Sequence, residues 1–199
     1  MIINKIILAS SLVILSGCAL TVDNIDLNYK KNENIAKISE AKDIKVSITI
    51  NDKRTNLSRK VSAKKNGYGV EMADIIANED ISLTISKAFE EELTARGFSV
   101  SNKDALVNIT ADLTRFYNEH KLGFFSGDAV ADLNMLVSIK HPSGNILYSK
   151  QITCQGIEKN TQIASGQNAK LALEKALQNG MKILFEDKNF ISSLINSKK

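Results

Sequence analysis

The sequence predicts an α+β domain with two helices packed on one face of a mixed, mainly antiparallel sheet of four to six strands. Three observations predict it. Several segments alternate apolar and polar residues with period two, as half-buried strands do. Two segments instead carry an apolar stripe at helical spacing. The order runs strand, hairpin, helix, three strands, helix, which places the first strand parallel to the strand after the first helix through a crossover. In a chain of 199 residues with 43% apolar and 24% charged residues, one domain of this kind is the natural expectation, and the balance excludes a disordered or collagen-like chain.

Each element follows from its residues. Ile44, Val46, Ile48 and Ile50 alternate with Lys45, Ser47 and Thr49, a half-buried strand. Val61 and Ala63, then Tyr68 and Val70, flank Lys64-Lys65-Asn66-Gly67, and Asn-Gly between short alternations signals a hairpin. Asn78 is the expected helix N-cap, with Glu79 and Asp80 at the positive end of the dipole. Ile81, Ile85, Ala88, Phe89 and Leu93 form the apolar stripe, Glu90, Glu91 and Glu92 lie on or beside the polar face, and Gly97-Phe98 closes the helix. Residues 105–117 turn Val107, Ile109, Ala111 and Leu113 inward, and residues 129–139 repeat the pattern from Ala129 to Ile139. Pro142-Ser143-Gly144-Asn145 is a turn, and Ile146, Tyr148, Ile152 and Cys154 share one face of the next strand. Residues 165–185 carry the second stripe, Ala169, Leu173, Ala176, Leu177, Gly180, Met181 and Leu184. An apolar tail, Phe190, Ile191, Leu194 and Ile195, is expected to make one docked turn.

The start of the chain sets the compartment. One positive charge, Lys5, precedes the apolar run Ile6 to Leu15, too short for the roughly 20 residues that a bilayer core requires. Such a start reads as an export signal. It ends in Leu15-Ser16-Gly17-Cys18, which resembles the bacterial lipobox. That resemblance implies cleavage before Cys18 and acylation of its thiol. Residues 1–17 are then a lipoprotein signal peptide, and Ala19 behind the cysteine, rather than Asp, favours the outer membrane. Residues 18–43 are expected to be a lipidated N-terminus and flexible tether, spanning roughly 25–30 Å as a coil and about 80 Å when stretched. The folded domain is expected over 44–199, with no core residue before Ile44.

Val46-x-Ile48-x-x-x-Asp52-x-Arg54, the hairpin start Lys60-Val61, the helix end Leu93-Thr94-Ala95-Arg96-Gly97-Phe98 and the closing Phe190-Ile191 follow the lipobox in an order that resembles the YajG family of bacterial lipoproteins. The resemblance covers nearly the whole chain. It implies an envelope lipoprotein of Gram-negative bacteria with no established enzymatic activity. The layout is also similar to the TolB N-terminal-like α/β fold, a likeness of fold only.

No residue pattern names a reaction, and no enzyme or cofactor is expected. Neither His120 nor His141 has an acidic residue or cysteine at metal-ligand spacing, and nucleotide- and hydrolase-type motifs are absent. Asp128 and Asp132 share a strand face and form the one carboxylate pair to weigh for glycosidic chemistry. Cys154 is expected to be a buried thiol. Two features point to a partner. Lys53, Arg54, Arg59, Lys60, Lys64 and Lys65 form a basic run without an acidic residue, suited either to protecting a sheet edge or to an anionic partner. Phe124-Phe125 sits between Gly123 and Ser126-Gly127 in a strand-to-strand loop, suited to an interface anchor. The expected partners are the membrane, through the N-terminal lipid, and an envelope protein or peptidoglycan. Nucleic acid is not expected, and the oligomeric state is open. A non-enzymatic binding module leads; an activator of a cell-wall synthase and a peptidoglycan hydrolase are the alternatives.

Overall fold

A computed structural model describes residues 21–55, 59–121, 123 and 126–198. In chain order the strands are β1 (Asp23–Ile25), β2 (Lys45–Asp52), β3 (Lys60–Lys65), β4 (Glu71–Ala77), β5 (Ser99–Val100), β6 (Val107–Lys121), β7 (Gly127–Lys140) and β8 (Ile146–Thr161). The helices are α1 (Ile81–Arg96) between β4 and β5, then α2 (Gly166–Phe185) and α3 (Lys188–Ile195) after β8. The α+β class is as expected. The strands divide into a five-stranded sheet, β5-β2-β6-β7-β8, and a three-stranded sheet, β1-β4-β3. In the larger sheet β2 runs parallel to β6 and β5, while β6–β7 and β7–β8 are long antiparallel pairs.

A bulge in β6 explains the division. β2 pairs only with Val107–Leu113, and between Leu113 and Arg115 the register of β6 against β7 slips. A slip of one residue exchanges the faces. Before it Val107, Ile109, Ala111 and Leu113 are buried; after it the buried residues are Phe116, Asn118 and His120. The far half of β6 lies beside β3, where the Ser62 hydroxyl donates to the Asn118 carbonyl at 2.8 Å and the Asn118 amide donates back to Ser62 Oγ at 3.0 Å.

The caps fix the helices. Asp80, rather than the expected Asn78, is the N-cap of α1, its carboxylate accepting the Ser82 N–H. Asn78 is taken up elsewhere: its N–H donates to Ile25 O and its amide to Asp26. Gly97 ends α1 with φ +98°, and Phe98 N–H reaches back to Leu93 O, the close expected of Gly-Phe. Ser165 caps α2, and every residue of its expected stripe is buried. Gly156 lets α2 lie on the sheet, since a Cβ there would stand 2.1 Å from Ala172 O and 2.2 Å from Ala176 N. The apolar tail forms α3, a helix rather than one turn, with Phe190 packed edge-on to Phe185 and Tyr148.

Four further expectations are corrected. Residues 23–43 are part of the fold. β1 pairs parallel with β4, Ile25 and Ala41 are buried, and Leu27, Tyr29 and Ile38 pack against the core. The Tyr29 hydroxyl donates to Glu92, which also pairs with Arg96, so Glu92 is buried rather than on the polar face. The sequence hid this because a three-residue strand has too few residues to show a period. The hairpin is present, but its turn is longer than Asn-Gly: Asn66 Oδ1 accepts the N–H groups of Tyr68 and Val70, and both of those side chains are exposed. On β8, Tyr148 and Ile152 face inward as expected, whereas Ile146 is exposed beside the Pro142 turn.

Candidate functional site

The basic run is matched internally. Lys53 Nζ lies 2.6 Å from Asp112, and Arg54, itself buried, forms a forked pair with Asp52 at 2.6 Å. Lys60 reaches Asp74 at 2.8 Å and Glu71 at 3.0 Å, which raises its pKa well above that of an ordinary lysine. Lys64 pairs with Asp23 and Lys65 with Glu119, each at 2.7 Å. Arg59 donates to the Asn78 carbonyl at 2.7 Å. The partners come from β1, β4 and β6, remote in sequence, so a run without acidic residues gave no sign of them. As an anion-binding surface the run is largely spent. Phe124, Phe125 and Cys18 lie outside the described residues.

Two of the openings on the described surface adjoin these candidate residues. One cleft of about 260 Å³ brings Arg54 and Lys60 together with Arg115, Thr55 and Tyr117. Arg115, which sequence reasoning missed, is placed there by the β6 bulge; it pairs with Asp132 at 2.8 Å and its guanidinium stands 6.0 Å from the Tyr117 ring centre. The readable signal was the break of alternation at Thr114-Arg115. The second cavity, about 210 Å³, lies where the β3–β4 turn meets the β6–β7 and β8–α2 connections, lined by Gly67, His120, Lys121, Ser126, Thr161 and Ile163. His120 is buried there with neither ring nitrogen meeting a partner. Burial, then the charge of Lys65, pushes its pKa down to about 4, so its ring is neutral at pH 7.

The remaining candidates are structural. Asp132 accepts from Gln155 as well as Arg115, and Asp128 accepts the Asn160 N–H at 3.1 Å, so each member of the carboxylate pair has a fixed partner of its own. Cys154 Sγ lies 3.3 Å from Ala176 O under α2, and burial pushes its thiol up to about 11. Among the described residues no group of three or more His, Cys, Asp or Glu is arranged to hold a metal ion.

Residues 33–194 match the model of a family described as uncharacterised lipoprotein. The chain belongs to this family. Among curated proteins none matches it. Of solved structures, protein XCC0632 from Xanthomonas campestris is similar over 90% of this chain and 99% of its own, with TM-score 0.61 and 14% identity, a likeness of fold. A minor lipoprotein from Acinetobacter baumannii is similar over 72% of this chain and 94% of its own, with TM-score 0.41 and 11% identity. Lipoprotein GNA1162 from Neisseria meningitidis is similar over 58% and 83%, with TM-score 0.37 and 9% identity. Among the described residues of this lipoprotein no helix is long and apolar enough to cross a membrane.

Proposed function

We propose that this lipoprotein is of the YajG type, acylated at Cys18, held on the periplasmic face of the outer membrane, and acts as a non-enzymatic binding module. The observation that carries the reading is Leu15-Ser16-Gly17-Cys18 standing ahead of a lipoprotein-family match that begins at residue 33. Two or more acyl chains anchor stably because each buried methylene contributes about 0.8 kcal/mol. Ala19 supports the outer-membrane address. The cleft lined by Arg54, Lys60, Arg115 and Tyr117 is the described surface best suited to a partner, since it sets an aromatic ring among internally paired charges on rigid strands.

Fractionation of cells carrying Cys18→Ser tests the anchor: the protein should leave the membrane fraction or remain unprocessed. A mature-sized variant still in the outer membrane would refute it. A photo-crosslinker at Thr55, in intact cells, should give one discrete adduct with an envelope component. Release of soluble fragments from purified peptidoglycan would instead establish an enzyme.

A further inference from the structure

β1 runs parallel to β4, with Asp23 level with Ile75 and Ile25 level with Ala77. Followed backwards, both strands therefore head toward the same end of the molecule. Five residues before Ile75 stands Val70, in the β3–β4 turn; five residues before Asp23 stands Cys18. Five residues of extended chain reach about 17 Å at most. Cys18 therefore lies within about 17 Å of Asp23, so no long tether separates the domain from an acyl chain on that residue.

That end leaves a run of apolar side chains in water, while Ile146 and Leu147 are exposed at the Pro142 end. Tyr68 is 94% exposed and Val70 57%, with Met72 behind them on β4 and Val22 at 50% ahead of β1. Ile163, 69% exposed, lines the cavity that Gly67 of the turn also lines. Lys121 shares that cavity and is exposed. An aromatic ring with a polar tip, small apolar neighbours and a lysine at the rim are what sits well at the headgroup level of a bilayer. The opposite end of the sheet, at the Pro142 turn, is about 40 Å away along β7.

We propose that the domain is seated on the bilayer, with the β3–β4 turn, led by Tyr68 and Val70, inserted in the lipid interface beside the acylated N-terminus. The occupant of this apolar end is the membrane itself. The proposal rests on acylation of Cys18. It makes the domain a fixed-orientation device: the Pro142 end points into the periplasm, and the domain does not range freely at the end of a tether.

The chain contains no tryptophan, so a single substitution supplies a unique probe. The full-length acylated protein is prepared as Tyr68→Trp and as Ile146→Trp, both exposed sites, and bound to vesicles of phosphatidylethanolamine and phosphatidylglycerol doped with phosphatidylcholine brominated high on its chains. Seating predicts blue-shifted emission from Tyr68→Trp that is quenched by the brominated lipid, with Ile146→Trp emission unchanged. Vesicle-bound protein whose two probes respond alike overturns the seating and leaves the anchor standing. Protein whose Cys18 carries no acyl chain by mass spectrometry overturns the anchor and the seating together.

Discussion

The carboxylate of Asp23 lies 2.7 Å from the ammonium of Lys64 and accepts the N–H of Gly166 at 2.8 Å with its other oxygen. One side chain on β1 thereby joins β3 to the first turn of α2. A Cβ on Gly166 would stand 2.8 Å from Asp23 Cβ, so the approach needs glycine. The three-stranded sheet is held to α2 through this point and to the larger sheet through Ser62–Asn118 and Lys65–Glu119.

Lys64→Glu should therefore unfold part of the molecule rather than alter a free surface. The new carboxylate would face Asp23 at a largely buried position, and breaking such a pair costs on the order of 3 kcal/mol. Urea unfolding of the variant should show the loss. A midpoint equal to that of the parent would mean Lys64 is a surface charge.

A chain beginning at Ile44 should be less stable than one beginning at Thr21. It lacks β1, the buried Ile25 and Ala41, and the Tyr29–Glu92 contact. Burying one large aliphatic side chain contributes about 1.5–3 kcal/mol, so a deficit of about 3 kcal/mol or more is expected in urea. Equal stabilities would return residues 21–43 to the status of a tether.

Gly156→Ala should lift α2 off the sheet. The clash is with the backbone of Ala172 and Ala176, which cannot rotate away as a side chain would. Overpacking of this kind costs about 1–3 kcal/mol. A thermal midpoint unchanged from the parent would show that α2 stands further from β8 than described.

Stability should fall between pH 7 and pH 5 through His120. In the unfolded chain its ring protonates near 6.5, whereas in the fold burial and Lys65 hold it down to about 4. The unfolded state binds more protons within that window, so stability is full above about pH 6.5 and declines as pH falls toward 4. Asp52, Asp112 and Asp187, whose pKa values their partners lower, contribute stability lost only at more acidic pH. His120→Phe should flatten the decline in thermal midpoint between pH 7 and pH 5, with His141 present in both proteins. The same slope in both would show that His120 is not the group responsible.

The period-two and helical patterns of the sequence made the large sheet and the first two helices legible, because each of those elements buries one whole face. The signal failed where an element is too short or its pairing too remote. β1 spans three residues, and its place is set by Ile75–Ala77, some fifty positions later. The bulge after Leu113 appears in sequence only as two successive polar residues, yet it reverses the face of everything beyond it and so buries His120 and presents Arg115.

The sequence by itself determined the α+β class, the parallel placement of β2 and β6, the close of the first helix at Gly97, and the resemblance of Leu15-Ser16-Gly17-Cys18 to a lipobox. These are local matters of spacing, turn chemistry and backbone preference. Only the tertiary structure decided that the basic run is neutralised and that Ile25 and Ala41, ahead of β2, belong to the core. It alone placed the exposed β3–β4 turn at the end from which β1 begins. Charge pairing and strand direction depend on which distant segments meet, and that is fixed by packing rather than by the order of residues along the chain.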